Sequence, residues 1–172
     1  MHYMTSRSPE VDDLVQQMMA AYAQDAVDAA RTGFGIDLDF SPPSVERVEQ
    51  ILVQIYPSIR RGWIRRLLHI GISDDQLDTL CKMFGGYVGE VVRRHQGGRW
   101  AIIENPAGQG NVIALVNGDD KIFPPAKVFK RLVEGESDNV WFYFQVVTEA
   151  EIFGAQSQHE PSADGTDSGE HA

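Results

Sequence analysis

Cys81 is the sole cysteine of this 172-residue chain, and His69 and His95 are the histidines nearest to it in sequence. Together they offer the elements of nucleophile and base. A catalytic thiolate needs an electropositive, partly exposed setting with a base in hydrogen-bond reach. Cys81 instead falls between Leu80 and Phe84 on the apolar stripe of an expected helix. It therefore reads as a buried structural thiol, in keeping with the burial typical of free cysteine. The other histidines, His2, His159 and His171, lie near the chain ends, and the central ones have no His or Cys at zinc-ligand spacing. Asp37/Asp39 and Asp119/Asp120 suggest a hard cation, but neither pair continues into a loop of further oxygen ligands. Turn acids are common for local hydrogen-bonding reasons. The glycine-rich pieces GGYVG, QGGRW and AGQGN match neither the dinucleotide fingerprint nor the P-loop, and no G-x-S-x-G elbow is present. The residues thus point to no catalytic constellation, no metal and no cofactor.

Basic clusters are the second kind of chemistry available: Arg60/Arg61/Arg65/Arg66, Arg93/Arg94/Arg99 and Lys127/Lys130/Arg131. Two of them brought together beside Trp63 or Trp100 would make an anion or single-strand groove. The plainer alternative pairs these bases with acids of the N-terminal helices. Charge favours the plainer one. The net charge of −10 divides into −6 over residues 1–59, +2 over 60–148 and −6 over 149–172, so the acidity sits at the two ends. An acidic chain opposes non-specific attraction to a polyanion. The leading expectation is a non-enzymatic module binding another protein. The alternative is anion or nucleic-acid binding through Arg93, Arg99, Lys127, Lys130 and Arg131, and an enzyme of unknown class comes third. Glu90, Arg93, Arg99, Trp100, Lys127, Lys130 and Arg131 are the candidate binding residues.

Elements must position these groups. Val11, Leu14, Val15, Met18, Met19, Tyr22 and Ala26 recur at helical spacing and predict a helix over 10–32. Asp37-Leu38-Asp39-Phe40 alternates as an extended segment. Ser41-Pro42-Pro43-Ser44 opens a helix over 43–56 that Pro57 is expected to stop, with 59–68 a short connecting segment that one or two helical turns would also suit. Ser73 followed by Gln76 is a capping box, starting a helix over 74–95 whose apolar face includes Leu77, Cys81, Phe84, Val88 and Val91. Gly85, Gly86 and Gly89 lie inside it at about 1 kcal/mol each against alanine, which calls for a backbone packed closely on the glycine face.

After Gly97-Gly98 the period changes, and a two- or three-stranded antiparallel sheet is expected over 99–123, with an edge strand at 121–123. A helix follows over 125–134. The block 139–147, NVWFYFQVV, has strand composition, yet its all-round apolar character behind Asp138 suits a buried helix, which is preferred. The fold expected is one α+β domain over 9–153, N-terminal helices packed with a small sheet and C-terminal helices, with 1–8 flexible and 154–172 a disordered acidic tail. No apolar run reaches membrane-helix length and the start lacks a secretory core, so a cytoplasmic location is expected.

The segments LDFSPPSVERVEQIL (38–52), MFGGYVGEVVRRHQGGRW (83–100) and FPPAKVFKRLVEGESDNVWFYF (123–144) resemble a family of uncharacterised bacterial domains of unknown function. That family has a Gly-Tyr-x-Gly-Glu-Val helix, a Gly-Gly-x-Trp strand and a Pro-x-x-Lys-Val-x-Lys-Arg block. The resemblance implies an α+β domain with a small antiparallel sheet and brings no assigned catalytic residue. From the residues themselves, Glu90 precedes Arg93 and Arg94 at helix-neighbour spacing. A partly buried Glu90 bonded to an arginine is expected to fix the corner at Trp100.

Overall fold

The computed structural model describes residues 9–66 and 73–149. Helix α1 (Pro9–Ala29) runs into a π-helical turn (Ala30–Phe34), closed by Gly35 in the left-handed conformation. Then come α2 (Ser44–Arg66), α3 (Asp74–Gln96), strands β1 (Arg99–Glu104), β2 (Asn111–Asn117) and β3 (Asp120–Ile122), α4 (Pro124–Glu134), a short 3-10 turn and α5 (Val140–Glu149). The strands form one antiparallel sheet in the order β1-β2-β3. The architecture is α+β. The N-terminus, the boundary at 153 and the tail expected beyond it lie outside the described residues.

One correction concerns α2, which does not stop at Pro57 but carries it internally and continues to Arg66. Proline removes the bond to the carbonyl four residues back. Here that residue is Val53, and both Val53 and Pro57 are on the exposed side of the helix, where water can take the carbonyl. A smaller correction moves the edge strand one residue earlier: the β2–β3 turn is only Gly118-Asp119, so pairing starts at Asn117↔Asp120. Gly118 has φ +60, as tight hairpin turns require. Segment 140–149 is helical, and Val140, Phe144 and Val147 are its buried residues.

One core joins all the layers. Val15, Met19, Ala23 and Val27 of α1 meet Phe84, Val88, Val91 and Val92 of α3; Val48, Ile51 and Leu52 of α2 meet Leu132 of α4; and Trp100, Leu115 and Ile122 supply the inner face of the sheet. The capping box at Ser73 is formed in both directions, by Ser73 Oγ on the Gln76 N–H and by Gln76 Oε1 on the Ser73 N–H. No helix among the described residues is long and apolar enough to cross a membrane.

Candidate functional site

The glycines of α3 do what a close approach demands. A Cβ on Gly85 would stand 2.4 Å from the Pro125 Cα, and one on Gly89 would stand 2.2 Å from the indole of Trp100. At Gly86 the neighbour is the Met19 carbonyl of α1, at 3.1 Å. The glycine face thus seats α4, β1 and α1 on one helix.

Next to that face lies a buried ionic centre. The Glu90 carboxylate accepts from Trp100 Nε1 at 2.9 Å, from Arg93 Nε at 2.8 Å and Nη2 at 3.0 Å, and from Gln16 Nε2 at 3.2 Å. Gln16 Oε1 in turn accepts the Trp100 backbone N–H at 3.2 Å. Burial pushes the Glu90 carboxyl up, but the bonds from Arg93 and Trp100 and the charges of Arg93 and Arg94 outweigh it and hold it below the ordinary range. Glu90, Arg93 and Trp100 therefore meet, in the corner arrangement the sequence suggests. Gln16 completes it, and nothing in its sequence setting on the helix marked it.

The remaining candidates lie elsewhere, and Arg99, Lys127 and Arg131 are each paired with an acid. Arg99 pairs with Asp12 of α1. Lys127 pairs with Asp138 at 2.7 Å, an ion pair that holds the Asp138 carboxyl below its usual range. Arg131, fully buried, donates from Nε to Glu49 Oε1 at 2.6 Å, while Glu49 Oε2 accepts the Val140 N–H at 2.8 Å. Arg131 Nη1 has no hydrogen-bond partner among the described residues. Lys130 is exposed. The acid-free basic surface that a polyanion would require is not what the described members of the second and third clusters form. The side chains of the first cluster and of Trp63 fall outside the described residues.

A third buried polar chain ties α2 to α3. The Phe40 N–H donates to Tyr87 Oη at 2.8 Å, the Tyr87 hydroxyl reaches Ser44 Oγ at 2.5 Å, and Ser44 Oγ donates to the Ser41 carbonyl at 2.5 Å. Phe40 itself has φ +59, unusual for a non-glycine residue. Burial raises the Tyr87 hydroxyl above its ordinary value against these bonds. Cys81 is buried, and desolvation followed by the Asp78 charge pushes its thiol up to about 12. That is the opposite of an activated nucleophile. Among the described residues no group of three or more His, Cys, Asp or Glu could hold a metal ion.

No protein-family model, curated protein or solved structure matches the chain.

The feature that composition and spacing did not reveal is a groove of about 550 Å³ between the first turns of α3, the start of β2 and α4. Leu77, Cys81, Ile113, Pro125, Ala126 and Phe129 give it an apolar lining, with Asp74, Asp78 and Lys82 at the rim. Phe129 is 46% exposed, and Val133, one turn further along α4, is 50% exposed. The groove is a space between three elements, and local sequence patterns do not place elements against one another.

Proposed function

We propose that the chain is a non-enzymatic interaction module that engages another protein through the groove between α3, β2 and α4. The observation that carries this reading is the apolar lining left open there, with the large Phe129 side chain half exposed at its wall. Exposed aromatic surface beside an apolar cleft is a common recognition feature of protein interfaces. The alternative, anion or nucleic-acid binding, is less well supported because Arg93, Arg99, Lys127 and Arg131 each face a carboxylate. The same proposal keeps the chain with the uncharacterised bacterial domains it resembles, since the GGYVGEVVRRHQGGRW segment builds the α3–β1 corner.

The test is affinity capture from bacterial lysate with the full chain and with Phe129→Asp, whose partly exposed position lets the variant fold. A stoichiometric partner retained by the wild type and lost by Phe129→Asp supports the module. A partner retained equally by both removes the groove from the proposal, and a chain that elutes alone removes the proposal itself.

A further inference from the structure

Helix α1 takes its packing from far along the chain. It lies on α3 and β1, while α2, the next helix in sequence, is not among its main neighbours. Its seat is specific to this sequence. The Met19 carbonyl stands over Gly86, Gln16 bonds both Glu90 and the Trp100 N–H, and Asp12 pairs with Arg99. Residues 36–43 join this N-terminal unit to α2 with no helix or strand of their own. Within that hinge the backbone is strained at one place. Phe40 has φ +59, a conformation that a bulky side chain adopts at a cost. Pro42 and Pro43 have φ fixed by their rings, which leaves the change of direction before α2 to Phe40 and Ser41. Three groups of α3 hold Phe40 in place. Tyr87 Oη accepts its N–H at 2.8 Å, the Arg94 guanidinium lies 3.6 Å over its ring, and His95 Nε2 stands 3.4 Å from its carbonyl. Strained backbone persists only where its surroundings over-determine it.

We propose that α1 exchanges between two copies of this chain: residues 9–39 of each copy swing out about Phe40 and dock on α3 and β1 of the other. Every contact that α1 makes with α3 and β1 is reproduced in the exchanged dimer, so the two forms differ at the hinge and in chain concentration. Opening returns Phe40 to ordinary negative φ in both copies, and a short hinge under strain is the feature that invites exchange. The occupant is a second copy because this docking face is built for this helix: the glycine under Met19, the Glu90–Trp100 pair for Gln16 and the base for Asp12. None of the residues that line the groove between α3, β2 and α4 belongs to α1. Each unit of the dimer therefore keeps its groove, and on the interaction-module reading above the dimer offers a partner two sites instead of one.

The experiment pairs two charge reversals in the full chain. Asp12→Arg sets two bases together in a monomer, and Arg99→Asp sets two acids together. Only exchange between the two variants brings opposite charges together in both units. The variants are unfolded in urea, mixed, refolded together at submillimolar concentration and low salt, and read by native mass spectrometry. Random pairing makes about half of the dimer mixed, whereas exchange should raise the mixed form to about three-quarters or more, since each like-charge contact is replaced by an ion pair. Wild-type chain refolded in the same way should also yield dimer. Inserting Gly-Ser-Gly-Ser between Asp39 and Phe40 of the wild type should lower its dimer fraction about fivefold or more, because a longer hinge lets α1 fold back without strain. Wild-type chain that stays monomeric, a mixed dimer at the random half, or a dimer fraction unmoved by the longer hinge would overturn the exchange. Partner capture with Phe129→Asp is read separately, so either proposal can fall alone.

Discussion

Replacing Gly89 by alanine asks for two opposed effects at one atom. Alanine gains about 1 kcal/mol over glycine in a helix interior. Its Cβ, however, would lie 2.2 Å from Trp100 Cζ2 and 2.3 Å from Cη2. The indole has little room to yield, because it is fully buried and its Nε1 donates to Glu90 at 2.9 Å. Overpacking of this kind costs about 1–3 kcal/mol. If the ring swings to escape, the bond to a charged acceptor is lost as well, a further 1.5–3 kcal/mol or so. The expected net result is destabilisation by about 2–4 kcal/mol, lowering Tm by roughly 5–15 °C for a chain of this size. Urea and thermal unfolding followed by far-UV circular dichroism measure it. Gly33→Ala is the control, since no atom lies within 4 Å of its added Cβ, and it should be neutral or stabilising. Combining Gly89→Ala with Trp100→Phe should cost less than the sum of the single changes. A Gly89→Ala protein as stable as the wild type would refute the close-approach account of the glycine face.

Arg131→Met should destabilise by about 3–5 kcal/mol by stranding Glu49 in the core, and Glu49→Gln added to it should recover at least half, because glutamine still accepts the Val140 N–H; urea midpoints of the two variants check this. Tyr87→Phe should cost about 1–3 kcal/mol, since the Phe40 N–H loses its acceptor and Ser44 a partner, read by the same unfolding curves. Glu90 has a folded-state pKa below its ordinary value, so its contribution is complete above the ordinary carboxylate range and lost as pH falls through the folded value. Glu90→Gln should therefore be less stable near neutral pH and should show a shallower fall in stability on acidification, measured as urea midpoint against pH.

Residues that act with near neighbours in sequence were the legible ones. The capping box at Ser73 and Gln76, the glycines of α3 and the Glu90-to-Trp100 corner involve separations of ten residues or fewer, or a glycine cost that demands a close neighbour. Gln16 is a different case: its bonds reach 74 and 84 residues along the chain, and a glutamine on an amphipathic helix looks like any surface residue. Arg131 reads as part of a basic cluster because lysines surround it, whereas its partner Glu49 lies 82 residues away. Proline is a helix stop by local rules, and only the exposure of Val53 and Pro57 explains why α2 passes through it. The groove is further from sequence still, being a space between three elements.

The distance between Gln16 and its partners also bears on how the protein is made. During synthesis at about 5–20 residues per second, α1 leaves the ribosome several seconds before Glu90 does, since 74 residues separate them. Val15, Met19, Ala23 and Val27 have no α3 to cover them in that interval. By contrast α3, the three strands of the sheet and α4 follow one another along the chain and can close on each other as they emerge. The nascent N-terminal helix is thus the segment on which a ribosome-associated chaperone would have time to act, and its docking is the step that slower translation would delay.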